Sequence, residues 1–181
     1  MSADRYVIQN NSAIHFVTFT IVGWMDLFIR PIYKNVIVDS LNYCITAKGL
    51  VVYGWVIMTS HVHLLISSKD GISQSDIIRD FKKFTSKKLV RTLKETNESR
   101  SEWILSRFKY AARTGTEFQV WQLGYHGVEC DDTIVKAEQR LEYIHQNPVK
   151  EEFVTEAEDF VYSSAAAYAG GDSKVNITLL Y

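Results

Sequence analysis

Gly54-Trp55-Val56-Ile57-Met58-Thr59-Ser60-His61-Val62-His63-Leu64-Leu65 is the stretch on which the fold turns. It reads as two strands meeting at a tight hairpin. Leu50 to Met58 is one run of β-branched and aromatic residues, and His61 to Ser67 is the next. Only Thr59-Ser60 separates them, which is short enough for a two-residue loop although it lacks the favoured Asn-Gly chemistry. Side chains alternate along a strand, so His61 and His63 point to one face while Val62, Leu64 and Ile66 point to the other. Two imidazoles about 7 Å apart on one strand face can grip a divalent ion. Paired histidines on a half-exposed strand are also common without any metal.

Upstream, Ile14 to Ile21 reads as a first strand. Pro31 suits the first turn of a helix that runs to about Lys48, with Ile37, Leu41, Cys44 and Ile45 on one face and Gly49 ending it. Downstream, Ser73 with Asp76 opens a long helix whose apolar stripe is Ile77, Phe81, Phe84, Leu89 and Leu93. A further helix is expected over Glu102 to Ala112 and a strand over Phe118 to Leu123. A last helix is expected from Asp132 to about Gln146, with Pro148 helping to end it. The segment from Phe160 to Ala169 is weakly helical. The order β-α-β-β-α-α-β-α predicts an α+β fold: a ferredoxin-like or RRM-like antiparallel sheet with helices mainly on one face. The 181 residues suit a single domain, with the tail from about 153 as an appendage.

Composition narrows the class. A 46% hydrophobic and 13% aromatic chain can build a real core. The two cysteines, Cys44 and Cys130, are far apart and form neither a disulfide framework nor a thiolate metal site. The chain shows no signal-peptide pattern and no apolar run long enough for a membrane, so a cytoplasmic protein with no membrane partner is expected. Net charge is −1, but residues 79–113 carry eleven Lys or Arg against four acids, leaving the rest of the chain strongly acidic. Arg79, Lys83, Lys87 and Arg91 recur every four residues and stack along one helical face, a ridge that could track a phosphate backbone. Trp103, Tyr110, Trp121 and Tyr125 could stack on unpaired bases, although core packing serves any one of them equally.

The last helix has a second face. Ile134, Ala137, Leu141 and Ile144 make its buried stripe. Lys136, Arg140, Tyr143 and Asn147 cluster about 110° away from it. Tyr143 therefore shares a face with two cations and an amide and is not simply the next core residue. His145 points about 160° from Asn147, which suits a structural or supporting role.

Together these pieces resemble the single-tyrosine HUH transposases (histidine, hydrophobic, histidine), and within them the REP-associated tyrosine transposases. His61-Val62-His63 is similar to the metal motif. Tyr143-Ile144-His145-Gln146-Asn147-Pro148-Val149-Lys150 is similar to the family's Tyr-Ile-x-x-Asn-Pro-Val-Lys/Arg. His15-Phe16-Val17-Thr18, Trp121 with Tyr125-His126, and Tyr162-Ser163-Ser164 with Tyr168 add matches. There are two departures. Thr59-Ser60 stands where the family usually has Pro-Asn, and Glu151-Glu152-Phe153-Val154 replaces a common basic-Gly-Leu-Val run.

The resemblance implies an HUH endonuclease fold and one Mg²⁺ or Mn²⁺ held by His61, His63 and Asn147. It implies Tyr143 as nucleophile, forming a 5′-phosphotyrosine link, and a single-stranded DNA substrate flanked by a hairpin or palindromic repeat. His126 matches a family position and, with Arg140 and Lys136, is a candidate to support the site. Some relatives work as dimers with shared sites, so a homodimer is open to this chain. Two other readings compete: an RNA-recognition module, which would have no need of His61, His63 and Tyr143, and a domesticated or catalytically silent relative that only binds repeats.

Overall fold

The computed structural model describes residues 13–124, 126–130 and 134–181, with the side chain of His126 also outside the description. Tyr125 and the expected helix start at Asp132 lie outside the described residues.

Four strands, β1 (His15–Thr20), β2 (Leu50–Ile57), β3 (His61–Ser68) and β4 (His126–Glu129), form one sheet in the order β2-β3-β1-β4. Every neighbouring pair is antiparallel. Two interleaved β-α-β crossovers generate that order, the ferredoxin-like plan. Helix α1 (Pro31–Lys48) begins on its proline and ends on Gly49, whose φ of 72° gives the left-handed cap that returns its N–H to Cys44. Helix α2 (Gln74–Glu95) starts where the Ser73 hydroxyl accepts from the Asp76 amide. Helix α3 (Ser101–Tyr110) follows, and α4 (Ile134–Lys150) comes after β4.

Strand alternation divides the core in two. Val17, Phe19, Val62, Leu64 and Ile66 face α1, α2 and α3, where they pack with Ile37, Leu41, Ile77, Phe81, Leu89 and Phe108. Phe16, Val56 and Leu65 face the other way, onto Ala137, Leu141 and Ile144 of α4. The register shift between Val52 and Gly54 in β2 lets both cores be served. Leu50 and Val52 join the larger core, and beyond the bulge so do Trp55 and Ile57, while Val56 turns to α4. Gly54 is where α4 comes closest. A Cβ there would stand 2.5 Å from Leu141 Cδ1. The long helices thus lie mainly on one face, with α4 on the other.

The structure corrects several expectations, among them Phe84 and Ile134, read as members of the apolar stripes of α2 and α4 but 59% and 53% exposed. The last helix does not stop before Pro148 but includes it, running to Lys150. A proline ring holds φ near helical values, and the amides of Glu151, Glu152 and Phe153 still find carbonyls at Asn147, Val149 and Pro148. Residues 118–123 are not a strand. Trp121 makes one isolated bridge to Ile21 and buries its indole, donating to Thr85 Oγ1 at 3.0 Å; the fourth strand is 126–129. Helix in the 160–169 stretch is confined to α5 (Ala165–Tyr168).

The tail beyond 153 runs back along the outer edge of β2. Ile57 donates to Tyr162, Ser164 to Trp55, and Thr178 to Val52, each at 2.9 Å. An edge strand that would otherwise be open is thereby covered. Among the described residues no helix is long and apolar enough to cross a membrane.

Candidate active site

The hairpin sets the site. Ile57 pairs with Val62, so the loop between β2 and β3 is short and His61 opens β3 at the sheet's end. His61 and His63 lie on the α4 face with ring centroids 4.7 Å apart. Pairing of β1 with β3 places Thr18 directly opposite His63 and Phe16 opposite Leu65. Thr18 Oγ1 lies 2.8 Å from His63 Nδ1, and Ser60 Oγ lies 3.2 Å from His61 Nδ1. With both Nδ1 atoms engaged by hydroxyls, each ring has its Nε2 left to act as a ligand.

Burial also keeps the pair neutral. His63 is 6% exposed, and desolvation, with the neighbouring His61 adding to it, pushes its pKa down to about 3. Burial lowers His61 too, opposed by the negative charge of Glu151. Neutral imidazoles can bind a cation without first losing a proton.

Tyr143 comes to this pair from α4. Its ring centroid lies 5.4 Å from that of His63, edge-on at 70°, and it is 38% exposed, so the hydroxyl is reachable from solvent. One chain supplies both histidines and the tyrosine. Phe16 is the spacer: it stacks on His63 at 5.3 Å, meets Tyr143 edge-on at 5.8 Å, and carries the Arg140 guanidinium over its ring at 5.2 Å. Lys150 lies 5.2 Å from the centre of the Tyr143 ring. Two cations therefore flank the site, an arrangement able to stabilise negative charge.

Asn147 is buried one helical turn beyond Tyr143 and donates through Nδ2 to the Tyr143 carbonyl at 3.0 Å. A carbonyl only accepts, so the amide nitrogen must face it; Oδ1 takes no hydrogen bond among the described residues. The donor chemistry of two neutral imidazole nitrogens and one amide oxygen fits Mn²⁺ or Mg²⁺, the nitrogens favouring Mn²⁺. Among the described residues no group of three or more His, Cys, Asp or Glu side chains converges to hold a metal.

Other candidates fall elsewhere. His145 points away from the site, as its helical position requires. Its Nε2 lies 2.9 Å from Ser164 Oγ, its ring packs 5.2 Å from Tyr168, and burial lowers its pKa to about 4. Lys136 is exposed in the first half of α4, two turns before Tyr143. Arg79, Lys83, Lys87 and Arg91 do share a face: they line one groove of about 980 Å³ between α2 and residues 115–124. That groove belongs to the opposite side of the sheet from the histidines. Arg79 is ion-paired with Asp76 and Asp80, and Arg91 with Glu95. Lys83 and Lys87 have no partner among the described residues. Sequence reasoning gave no role to Thr18 or Phe16. Their common parity with His63 becomes visible only once β1 is paired with β3.

Comparison with known proteins bears on the fold and the family. The chain is similar to a solved REP-associated tyrosine transposase bound to a REP hairpin, with a TM-score of 0.64 and 15% identity over 100% of this chain and 93% of that one. At that identity the likeness speaks for the fold. No curated protein matches the chain. The family described as "Transposase IS200 like" matches residues 9–103, which include both histidines and more than half of the sequence. The chain belongs to the IS200-like transposase family.

Proposed function

We propose that this chain is a metal-dependent, single-tyrosine endonuclease and strand transferase that cuts single-stranded DNA beside a hairpin. The observation that carries the reading is the meeting of Tyr143 with His61 and His63 in one chain, with rings 5.4 Å and 4.7 Å apart in succession. His61 and His63 through Nε2, with Asn147 through Oδ1, would hold one Mn²⁺ or Mg²⁺. Such an ion, when bound, withdraws charge from a phosphate oxygen and so favours attack at phosphorus.

The chain's own groups do the rest. The Tyr143 oxygen forms a bond to phosphorus as the bond from phosphorus to the 3′ oxygen breaks. The phenolic proton is given up to solvent, and the departing oxygen takes one to become a 3′-hydroxyl. The 5′-phosphotyrosine keeps the energy of the broken diester, so the 3′-hydroxyl of another strand can reverse the step and join new ends. Arg140 and Lys150 hold positive charge beside the phosphate as it passes through the transition state. Thr18 and Ser60 engage the Nδ1 atoms of His63 and His61 and so orient the two rings. Lys83 and Lys87, with Arg79 and Arg91, are proposed to grip the backbone of the hairpin on the far side of the sheet.

The test is a labelled single-stranded hairpin oligonucleotide with flanks, incubated with protein and Mn²⁺ and run on a denaturing gel. A protein-linked band is expected, lost in Tyr143→Phe, in His63→Ala and with chelator. Equal adduct in Tyr143→Phe would show that another residue is the nucleophile. Tight binding by the wild type without adduct would make the chain a repeat-binding relative.

A further inference from the structure

Next to the histidine pair stands a side chain that the phosphate chemistry leaves unused. Trp24 is 62% exposed, and its ring centroid lies 6.0 Å from that of His61, edge-on at 70°. Its backbone φ is 55°, directly after Gly23 at 68°. A bulky residue rarely adopts the left-handed region, and such conformations gather where function requires them.

The loop around it is firmly held. Ile21 donates to the Ser60 carbonyl at 2.9 Å and Phe28 to that of Thr59 at 2.8 Å, which ties the loop to the turn that precedes His61. Arg100 donates to the Asp26 carbonyl at 3.3 Å. Met25, Leu27 and Phe28, just beyond, are all buried. A fixed loop with strained backbone thus holds a large apolar ring out in water, at the rim of a site read as acting on unpaired DNA.

We propose that Trp24 is a stacking subsite for an unpaired nucleobase adjoining the phosphate held at His61 and His63. Every base has a π-face, so the subsite would seat whichever base neighbours the cut and draw its strand across the histidines. The flexible backbone of single-stranded DNA can present a base in this way; a stacked duplex cannot. This inference rests on the reading of the site given above, and its test is arranged to separate the two.

The probe is a hairpin oligonucleotide with single-stranded flanks, in which 2-aminopurine replaces each flank base in turn, alongside a blunt hairpin without flanks. The protein carries Trp103→Phe, removing the other exposed indole, and Tyr143→Phe to prevent cutting; Trp55 and Trp121 are buried at 0% and 2% exposure. Binding is expected to quench the Trp24 emission and, at one flank position, that of 2-aminopurine. Trp24→Ala is expected to weaken affinity for the flanked hairpin roughly five- to a hundredfold, with Trp24→Phe recovering most of it and the blunt hairpin unaffected.

Trp24→Gly guards against a folding artefact, because glycine accepts the positive φ without strain. It should melt no lower than wild type yet bind flanked DNA as weakly as the alanine variant. In active protein the same changes should raise KM and leave kcat near its wild-type value. Undiminished affinity in Trp24→Ala and Trp24→Gly, or equal losses for flanked and blunt hairpins, would overturn the subsite. If adducts form normally while Trp24 proves irrelevant, only the subsite fails. If Trp24 is quenched by flanked DNA but no adduct ever forms, the subsite stands and the nuclease reading falls.

Discussion

Replacing Thr18 by valine should loosen the proposed metal site without touching any proposed ligand. Thr18 Oγ1 is 2.8 Å from His63 Nδ1, and His63 is only 6% exposed, so little water can replace the hydroxyl. Valine keeps the branched shape and removes the acceptor. The Nδ1 proton is then left without a partner, or the proton moves to Nε2 and blocks the ligand nitrogen. Loss of such supporting hydrogen bonds weakens metal binding about 10- to 100-fold, on the order of 1.4–2.7 kcal/mol. Unpaired polar burial costs about 1–3 kcal/mol of fold stability as well. Manganese binding can be followed by the electron paramagnetic resonance of the free ion, at a temperature where the variant is folded. Thr18→Ser should bind Mn²⁺ nearly as wild type, Thr18→Val 10- to 100-fold more weakly, and His63→Ala not measurably. If Thr18→Val bound Mn²⁺ within twofold of wild type while His63→Ala did not, the hydroxyl would have no part in presenting Nε2.

Two further outcomes follow from the geometry. Burial holds His63 near a pKa of about 3 and His145 near about 4, well below the ordinary 6.5. Below 6.5 the unfolded chain takes up protons that the folded chain refuses, so stability is complete above that pH and falls as the pH drops from 6.5 towards 4. The loss should be on the order of 2 kcal/mol for each histidine at pH 5, and a urea midpoint unchanged between pH 7 and pH 5 would refute it. Gly54→Ala would place a methyl 2.5 Å from Leu141 Cδ1, costing about 1–3 kcal/mol by overpacking and shifting α4. Its adduct yield should fall more than its Mn²⁺ affinity; unchanged adduct formation would mean that α4 yields locally at Leu141.

Local periodicity carried much of the site. A two-residue repeat put His61 and His63 on one strand face, and a helical count moved Tyr143 and Asn147 off the core stripe of α4. Neither step needed long-range information. Thr18 and Phe16 escaped notice because their roles depend on β1 pairing with β3, with His63 lying 45 positions from Thr18. Pro148 misled because the residue before proline usually leaves the helix; here Asn147 stays helical, and this keeps its amide one turn from Tyr143. The 118–123 stretch has strand-like composition, but its aromatic anchor Trp121 is consumed by packing against Phe19 and Phe28. The basic residues along α2 line one groove, yet only the sheet reveals that it lies behind the histidines and not beside them.

The closure of the β2 edge bears on how the chain acquires its form. Ser164 meets Trp55 across 109 positions and also receives His145 from the helix that bears Tyr143. Contacts of such sequence separation form late and slowly, since the intervening chain must first surrender its freedom. Docking of α4 is thus coupled to the return of the tail. A chain cut short before Ser164 would lose the hydroxyl that meets both Trp55 and His145. Loss of the tail would therefore unbrace the helix that bears Tyr143 as well as uncover the β2 edge.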